Sequence, residues 1–442
     1  MSYHPHIGRT LKKEFSDWKR WLGRTLVLVF AAIAGLTVVA FTWLTERALD
    51  TFHVLQNAYW WAPLLWTPLC TVCIVAITRR WVPGIAGSGI PQVMAALEPE
   101  ATGSLRGYFV SLKLSFAKIA MTAWGLLGGL SLGREGPSVQ IAAGVMHHAR
   151  RWIPESARVS EHALLIAGGA AGIAAAFNTP LGGVMFAIEE LSRRPEQRSN
   201  GLVLAAIVLS GLMAVSVYGN FTYFGVIRID GLSYALIWPG LAIAITSGIL
   251  GGVFSRLLVV SMTPESKGWM MKFRMNRPIY FALACGILIA LLGVSSGGAT
   301  FGSGYTHTKQ LLEVGSESFD FFVPFKFLAT WLTTWSGVPG GIFAPSLAIG
   351  GALGHDVSQL FGYSNTPALI ALGMAGFLAA VTQAPLTSFI IVMEMVDGHA
   401  LVLSLMTCAF VASGISKVIS APLYASLAKL QLRRLPVQST KK

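Results

Sequence analysis

Gly133-Arg134-Glu135-Gly136-Pro137 lies between two apolar stretches, Ile119 to Leu132 upstream and Val139 to Met146 downstream. A carboxylate at membrane depth is expensive and rare, and where it occurs it marks an ion or proton path. Gly and Pro around Glu135 break regular helix. Broken helix at that depth is tolerated where the backbone lines a cavity. This pentapeptide therefore predicts a helix terminus inside a membrane, with an acid placed on it.

The rest of the chain supplies the membrane context. Hydrophobic residues fill 54% of 442 positions and charged residues 12%, about half the charged share of a soluble domain. Apolar runs recur: Thr25 to Leu44, Trp60 to Ile77, Leu202 to Tyr218, Leu241 to Val253, Ala282 to Val294 and Leu401 to Ile415. A spanning helix needs roughly 20 apolar residues. Several runs are shorter and are cut by Gly or Pro, which predicts an all-α integral membrane protein of tilted, partly re-entrant helices.

The net charge of +13 is no nucleic-acid footprint, because the basic residues bunch at segment ends: Lys12, Lys13, Lys19, Arg20 and Arg24; Arg79 and Arg80; Arg193, Arg194 and Arg198; Arg433, Arg434, Lys441 and Lys442. By the positive-inside rule both termini and the Arg79-Arg80 turn face the cytoplasm. The stretch Glu46 to Gln56 reads as the loop between the first two spans. The first apolar run continues to Leu44, too long for the core of a cleavable signal peptide. Cys70, Cys73, Cys285 and Cys408 all lie in apolar segments and read as buried thiols; the CxxC spacing of the first two has no second ligand pair. No His-containing cluster supports a metal site, and no cofactor is expected. His147 and His148 read as interfacial, and His307 and His355 are isolated.

The chain reads as one unit: a basic cytoplasmic amino terminus over 1–24, a single membrane transport domain over 25–430 and a cytoplasmic tail over 431–442. The 18 residues after Tyr424 leave no room for an appended soluble domain. An internal echo runs through it. Glu135-Gly136-Pro137-Ser138 aligns with Phe343-Ala344-Pro345-Ser346 at an offset of 208, and Ala174-Ala175, Pro180-Leu181 and Glu189 align with Ala379-Ala380, Pro385-Leu386 and Glu394 at an offset of 205. Two related halves are expected, roughly 25–218 and 233–417. Repeated halves with interrupted helices are a transporter signature. The sequence leaves their relative orientation open.

Three Gly-rich turns each open an apolar helix with Pro in its first turn: Gly87-Ser88-Gly89-Ile90-Pro91, Gly133-Arg134-Glu135-Gly136-Pro137 and Gly341-Ile342-Phe343-Ala344-Pro345. Free N–H groups and the positive dipole end make a helix N-terminus an anion site. Three such termini converging would hold a small anion without a full cation, and conduction needs weak binding of that kind. The competing reading is that such turns only let helices pack closely.

With these motifs in this order, and Pro422-Leu423-Tyr424 near the C-terminus, the chain resembles the CLC family of chloride channels and chloride/proton antiporters. The resemblance covers roughly Gly87 to Tyr424. It implies a CLC-type inverted repeat of about eighteen helices, and a homodimer with one pore per subunit. Carried over position by position, it implies that the Ser88 hydroxyl, the Tyr424 phenol and the backbone amides of Ile342 and Phe343 bind a central chloride. Glu135 would be the gate: its carboxylate competes with chloride for the same pocket and leaves on protonation. In Ile188-Glu189-Glu190-Leu191 the family's antiporters carry an acid that feeds protons from the cytoplasm, and spacing puts it at Glu190. An alternative is that Glu190 pairs with Arg193 and Arg194 at a helix end. Glu189 echoes Glu394, which favours a structural role for that pair. Lys118 matches a family lysine and either adds positive potential to the pore or is a partnered structural lysine. Gln92 and Met94 depart from the family's frequent acids, which alters buried hydrogen bonding and bears on proton coupling. By the same resemblance, Ser88 implies chloride rather than nitrate or fluoride.

The reading is a chloride/proton antiporter of the inner membrane, embedded in lipid. The alternative is a passive, possibly voltage-gated, chloride channel on the same scaffold. An intramembrane enzyme using Glu135 as general base lacks a paired nucleophile or metal cluster.

Overall fold

Lipid offers backbone amides no hydrogen bonds, so a chain this apolar must satisfy them within helices or a closed barrel. In the computed structural model the described residues (18–101, 103–157, 159–192, 201–219, 222–227, 234–263, 268–313 and 320–433) take the helical solution and contain no strand. In chain order the first half carries α1 (Trp18–Ala58), α2 (Ala62–Trp81), α3 (Ile90–Leu97), α4 (Ser104–Phe109), α5 (Leu112–Leu127), α6 (Glu135–Ala149), α7 (Glu161–Phe177), α8 (Pro180–Phe186) and α9 (Gly201–Tyr218). The second carries α10 (Ile237–Met262), α11 (Trp269–Asn276), α12 (Pro278–Ser295), α13 (Tyr305–Glu313), α14 (Phe322–Ser336), α15 (Phe343–Phe361), α16 (Thr366–Thr382), α17 (Pro385–Met395), α18 (Val402–Ile419) and, beyond the echo, α19 (Leu423–Arg433).

Among the described residues seven segments are long and apolar enough to cross a membrane: α1, α2, Leu105–Leu127, α9, Tyr234–Met262, α12 and His399–Ile419. The others are shorter, and the innermost are buried on all sides. In α16 every residue from Ala368 to Thr382 is buried. Helices too short to span are stable here because longer helices, rather than lipid, surround them.

The echo is a two-fold in three dimensions. Gly133 and Gly341, at the offset of 208, form an antiparallel bridge: the Gly133 N–H donates to Gly341 O at 2.7 Å and the Gly341 N–H to Gly133 O at 2.8 Å. An antiparallel pairing of equivalent residues is what an inverted repeat makes where its halves meet, and it settles the orientation the sequence left open. The packing repeats too, with α6 on α7 matched by α15 on α16. Both inner helices end on a non-glycine residue in the left-handed region, Asn178 at φ 58° and Gln383 at φ 60°, each followed within two residues by the Pro that opens the next helix.

One boundary differs from the sequence reading. Glu46 to Gln56 is helix, the final turns of α1. The apolar run ends at Leu44, but one face stays useful: Phe52 is buried against Gly129 and stacks edge-on to Phe301 at 4.8 Å. Polar residues on the opposite face let the helix continue beyond the apolar belt. Of the basic residues used for orientation, Lys12, Lys13, Arg193, Arg194, Arg198, Arg434, Lys441 and Lys442 lie outside the described residues.

Candidate functional site

The Gly-rich turns meet at the centre of the molecule. The bridge between Gly133 and Gly341 joins the second and third, and the Gly340 N–H donates to Gly87 O at 3.2 Å, joining the first. Ser88 Oγ lies directly against the Cα of Gly136, where any side chain would collide with it. Glycine is thus required by close approach, and the N-termini of α3, α6 and α15 converge.

The first turn is held from behind. Gly87 and Gly89 sit at φ 91° and 113°, where a side chain would be strained. Gln92 Oε1 accepts from the Gly89 N–H at 3.0 Å and its Nε2 donates to Ala86 O at 2.6 Å. Lys118 is fully buried and its Nζ donates to Ile85 O and Gly87 O. Both residues flagged as departures or pore candidates therefore brace the loop that presents Ser88, and Lys118 is a partnered lysine.

The expected residues come together. Ser88, Glu135, Ile342, Phe343 and Tyr424 are all buried, Glu135 completely. Tyr424 arrives on α19, which packs against α3, and its hydroxyl neighbours that of Ser88. The Glu135 carboxylate folds back over Gly133 towards Ala344 and Pro345, with the backbone N–H groups of Arg134, Glu135 and Ala344 around it. Ser88 Oγ and Tyr424 OH face each other with no other protein partner, whereas the Glu135 oxygens face those three N–H groups outside ideal hydrogen-bond geometry. Buried polar atoms are almost always paired, and each left unpaired costs about 1–3 kcal/mol. The two hydroxyls beside these helix N-termini are donors, the chemistry an anion can accept from.

A cavity of about 70 Å³ leads to this point, lined among others by Ser88, Gln92, Ile342, Tyr424, Arg274 and Gln431. Arg274 was not singled out from sequence; it stands on α11 and donates to Ser261 O at 2.9 Å. The cluster Lys272, Arg274 and Arg277 was its only sequence signal. A larger cavity of about 550 Å³ between α10 and α18 is lined mainly by apolar residues such as Leu241 and Leu403, and holds none of these groups.

Glu190 is buried but does not line the smaller cavity. It sits in a π-helical turn, Ala187–Leu191, that continues α8. A π turn changes the angle between successive side chains and recurs at functional sites. Here it separates two acids. Glu189 accepts from the Leu386 and Thr387 N–H groups at 3.1 and 2.7 Å, while Glu190 turns inward, within Coulombic reach of Tyr424. Its suggested partners Arg193 and Arg194 lie outside the described residues. Among the described residues no group of three His, Cys, Asp or Glu could hold a metal. His147 Nδ1 lies 3.1 Å from Glu161.

Residues 70–417 match the family described as voltage gated chloride channel. The fold is similar to that of a slow cyanobacterial Cl⁻/H⁺ antiporter, with a TM-score of 0.79 and 22% identity over 94% of this chain and 98% of that one. It is also similar to a CLC-type fluoride/proton antiporter (0.75, 22%, covering 92% and 97%) and to a eukaryotic CLC transporter (0.73, 18%, covering 93% and 75%).

Proposed function

Because this chain belongs to the voltage-gated chloride channel family, we propose that it exchanges chloride for protons across the membrane, with Glu135 as gate and Glu190 as the internal proton-transfer group. The observation that carries this reading is the pair of buried hydroxyls beside the converging helix termini, Ser88 Oγ and Tyr424 OH, next to the buried Glu135 carboxylate. Chloride accepts hydrogen bonds and gives none. Two hydroxyls and the amides of Ile342 and Phe343 suit it, and the helix dipoles add at most about 2 kcal/mol each. That is weak enough for release, which a bare buried cation would hinder.

The Glu135 carboxylate is an anion on the same dipoles. Ionised, it fills the outer position and blocks chloride. Taking a proton removes its charge, the dipoles no longer hold it, and chloride replaces it. Coupling follows because one pocket admits either the carboxylate or the ion. Glu190 lies off the chloride cavity, so protons reach the centre by a separate route that meets the chloride path near Tyr424. The neighbours named as proton antiporters support exchange over passive conduction. We propose a multi-pass homodimer of the inner membrane, lipid-embedded, with both termini cytoplasmic, each subunit carrying one transport domain over 25–430.

The test is purified protein in liposomes under a chloride gradient, with external pH and chloride followed together. Exchange predicts protons driven against their own gradient, coupling lost in Glu190→Ala while chloride still flows, and coupling lost in Glu135→Ala. Chloride flux that drives no protons in the wild type makes the protein a channel.

A further inference from the structure

Beside the gate stands a full cation, Arg134, where the surrounding design relies on dipoles. The guanidinium is buried, and its surroundings are specific. Nη1 donates to Glu46 Oε1 at 2.7 Å and to Thr42 O at 3.5 Å, both on α1; Nη2 donates to Tyr223 OH at 3.0 Å. Nε is buried and has no acceptor. Tyr223 is fixed in turn, since its carbonyl accepts from Tyr305 OH at 3.0 Å and its ring packs edge-on against Tyr305 and Phe177. Phe177 reaches Phe343 at 5.8 Å. One side chain thus ties α1, the segment around Tyr223, and α13 to the turn carrying Glu135.

Glu46 is the anionic member of this network, and it is half exposed while Arg134 is nearly closed off. It lies 22 residues beyond Arg24 along α1, about 33 Å at helical rise, hence at the far mouth from the basic end of that helix. We propose that Glu46 sets the anion affinity of this outer mouth by neutralising Arg134. With Glu46 ionised, the pair is close to neutral and chloride meets mainly helix dipoles. With that charge removed, the guanidinium keeps its place but acts on the pore as a bare cation, and chloride from the outer side binds more tightly and leaves more slowly. This rests on the reading of Glu135 and the helix termini as the anion path.

Glu46→Gln keeps an acceptor for Nη1 and removes only the charge. In liposomes with oriented or side-selectively inhibited protein, it is expected to lower KM for outer chloride several-fold and to lower kcat with it. KM for inner chloride stays unchanged and proton coupling is retained. Raising ionic strength with an impermeant salt should narrow the difference, and Glu46→Asp should restore wild-type values. A purely structural role predicts a silent Glu46→Gln and a slow, unstable Glu46→Ala. An unchanged outer KM in folded Glu46→Gln, with Glu135→Ala still uncoupling, overturns the inference and leaves the anion path standing. Absence of chloride transport in the wild type overturns the path itself.

Discussion

The two halves of the molecule share a scaffold and divide the chemistry. Positions 208 apart coincide at the Gly133–Gly341 bridge, and Lys118 and Lys326 are both fully buried with Nζ on two carbonyls, Ile85 and Gly87 in one half, Thr300 and Gly302 in the other. Each lysine braces a Gly-Ser-Gly turn, 87–89 or 302–304, with both glycines at positive φ. Where the chemistry lies the halves part. Glu135 has Phe343 at its matched position, Glu190 has Met395, and Tyr424 lies beyond the echo. A symmetric pair of gates would put two carboxylates on one pocket, and like charges that close cannot both ionise. The asymmetry leaves one acid at the paired turns, which is what the proposed single gate requires.

If the shared scaffold is structural, the lysines should be equivalent in stability and unequal in transport. Lys118→Met and Lys326→Met each leave two buried carbonyls short of a donor, at about 1–3 kcal/mol per group. Both variants should unfold well below the wild type in detergent, by similar amounts. Only Lys118→Met should also weaken chloride binding, because its turn presents Ser88. A transport defect of equal size in Lys326→Met would mean that the second turn also serves the ion path.

A smaller difference concerns how closely the inner helices cross. A Cβ on Gly373 would overlap Gly350 O, and one on Gly350 would overlap Gly373 O. In the first half the matched pair is Gly168 and Ala142, and a Cβ on Gly168 would lie 2.8 Å from Ala142 O. The second-half crossing is tighter because glycine stands where the first half has alanine. Gly373→Ala should therefore destabilise more than Gly168→Ala, within the range of about 1–3 kcal/mol for overpacking. Thermal unfolding of the two variants decides it, and equal losses would show that α15 and α16 yield as readily as α6 and α7.

Much of this was legible because local chemistry and fold agree. The three Gly-Pro turns had to be helix starts, and their free N–H ends favour an anion. The paired acids Glu189 and Glu394 stood at matched places. The second Gly-Ser-Gly turn escaped notice because no Pro follows Gly304 and α13 is polar. The end of α1 is not legible from apolar content, because Phe52 needs only one buried face to hold the last turns. The Arg134 network was invisible for a different reason. Its partners Glu46 and Tyr223 lie 88 and 89 residues away in the chain, and only the fold brings them together.

The smallest expected effect tests the two-fold at its most symmetric point. Glu189 accepts from the first N–H groups of α17, and Glu394 accepts from Leu181 and Gly182 at the start of α8, at 3.1 and 2.7 Å. Each carboxylate caps the helix opened by Pro in the opposite half, using both oxygens and the favourable end of the dipole. Replacement by glutamine keeps one acceptor oxygen and removes the charge, so Glu189→Gln and Glu394→Gln should each lose about 1 kcal/mol. Thermal unfolding should show equal shifts, with proton coupling intact in Glu394→Gln. Glu189 differs from Glu394 in one respect: it lies in the π turn that also carries Glu190. Slowed proton movement in Glu189→Gln alone, at matched stability, would show that the cap also positions Glu190, the proposed proton-transfer group. Identical behaviour would leave the orientation of Glu190 to the turn itself.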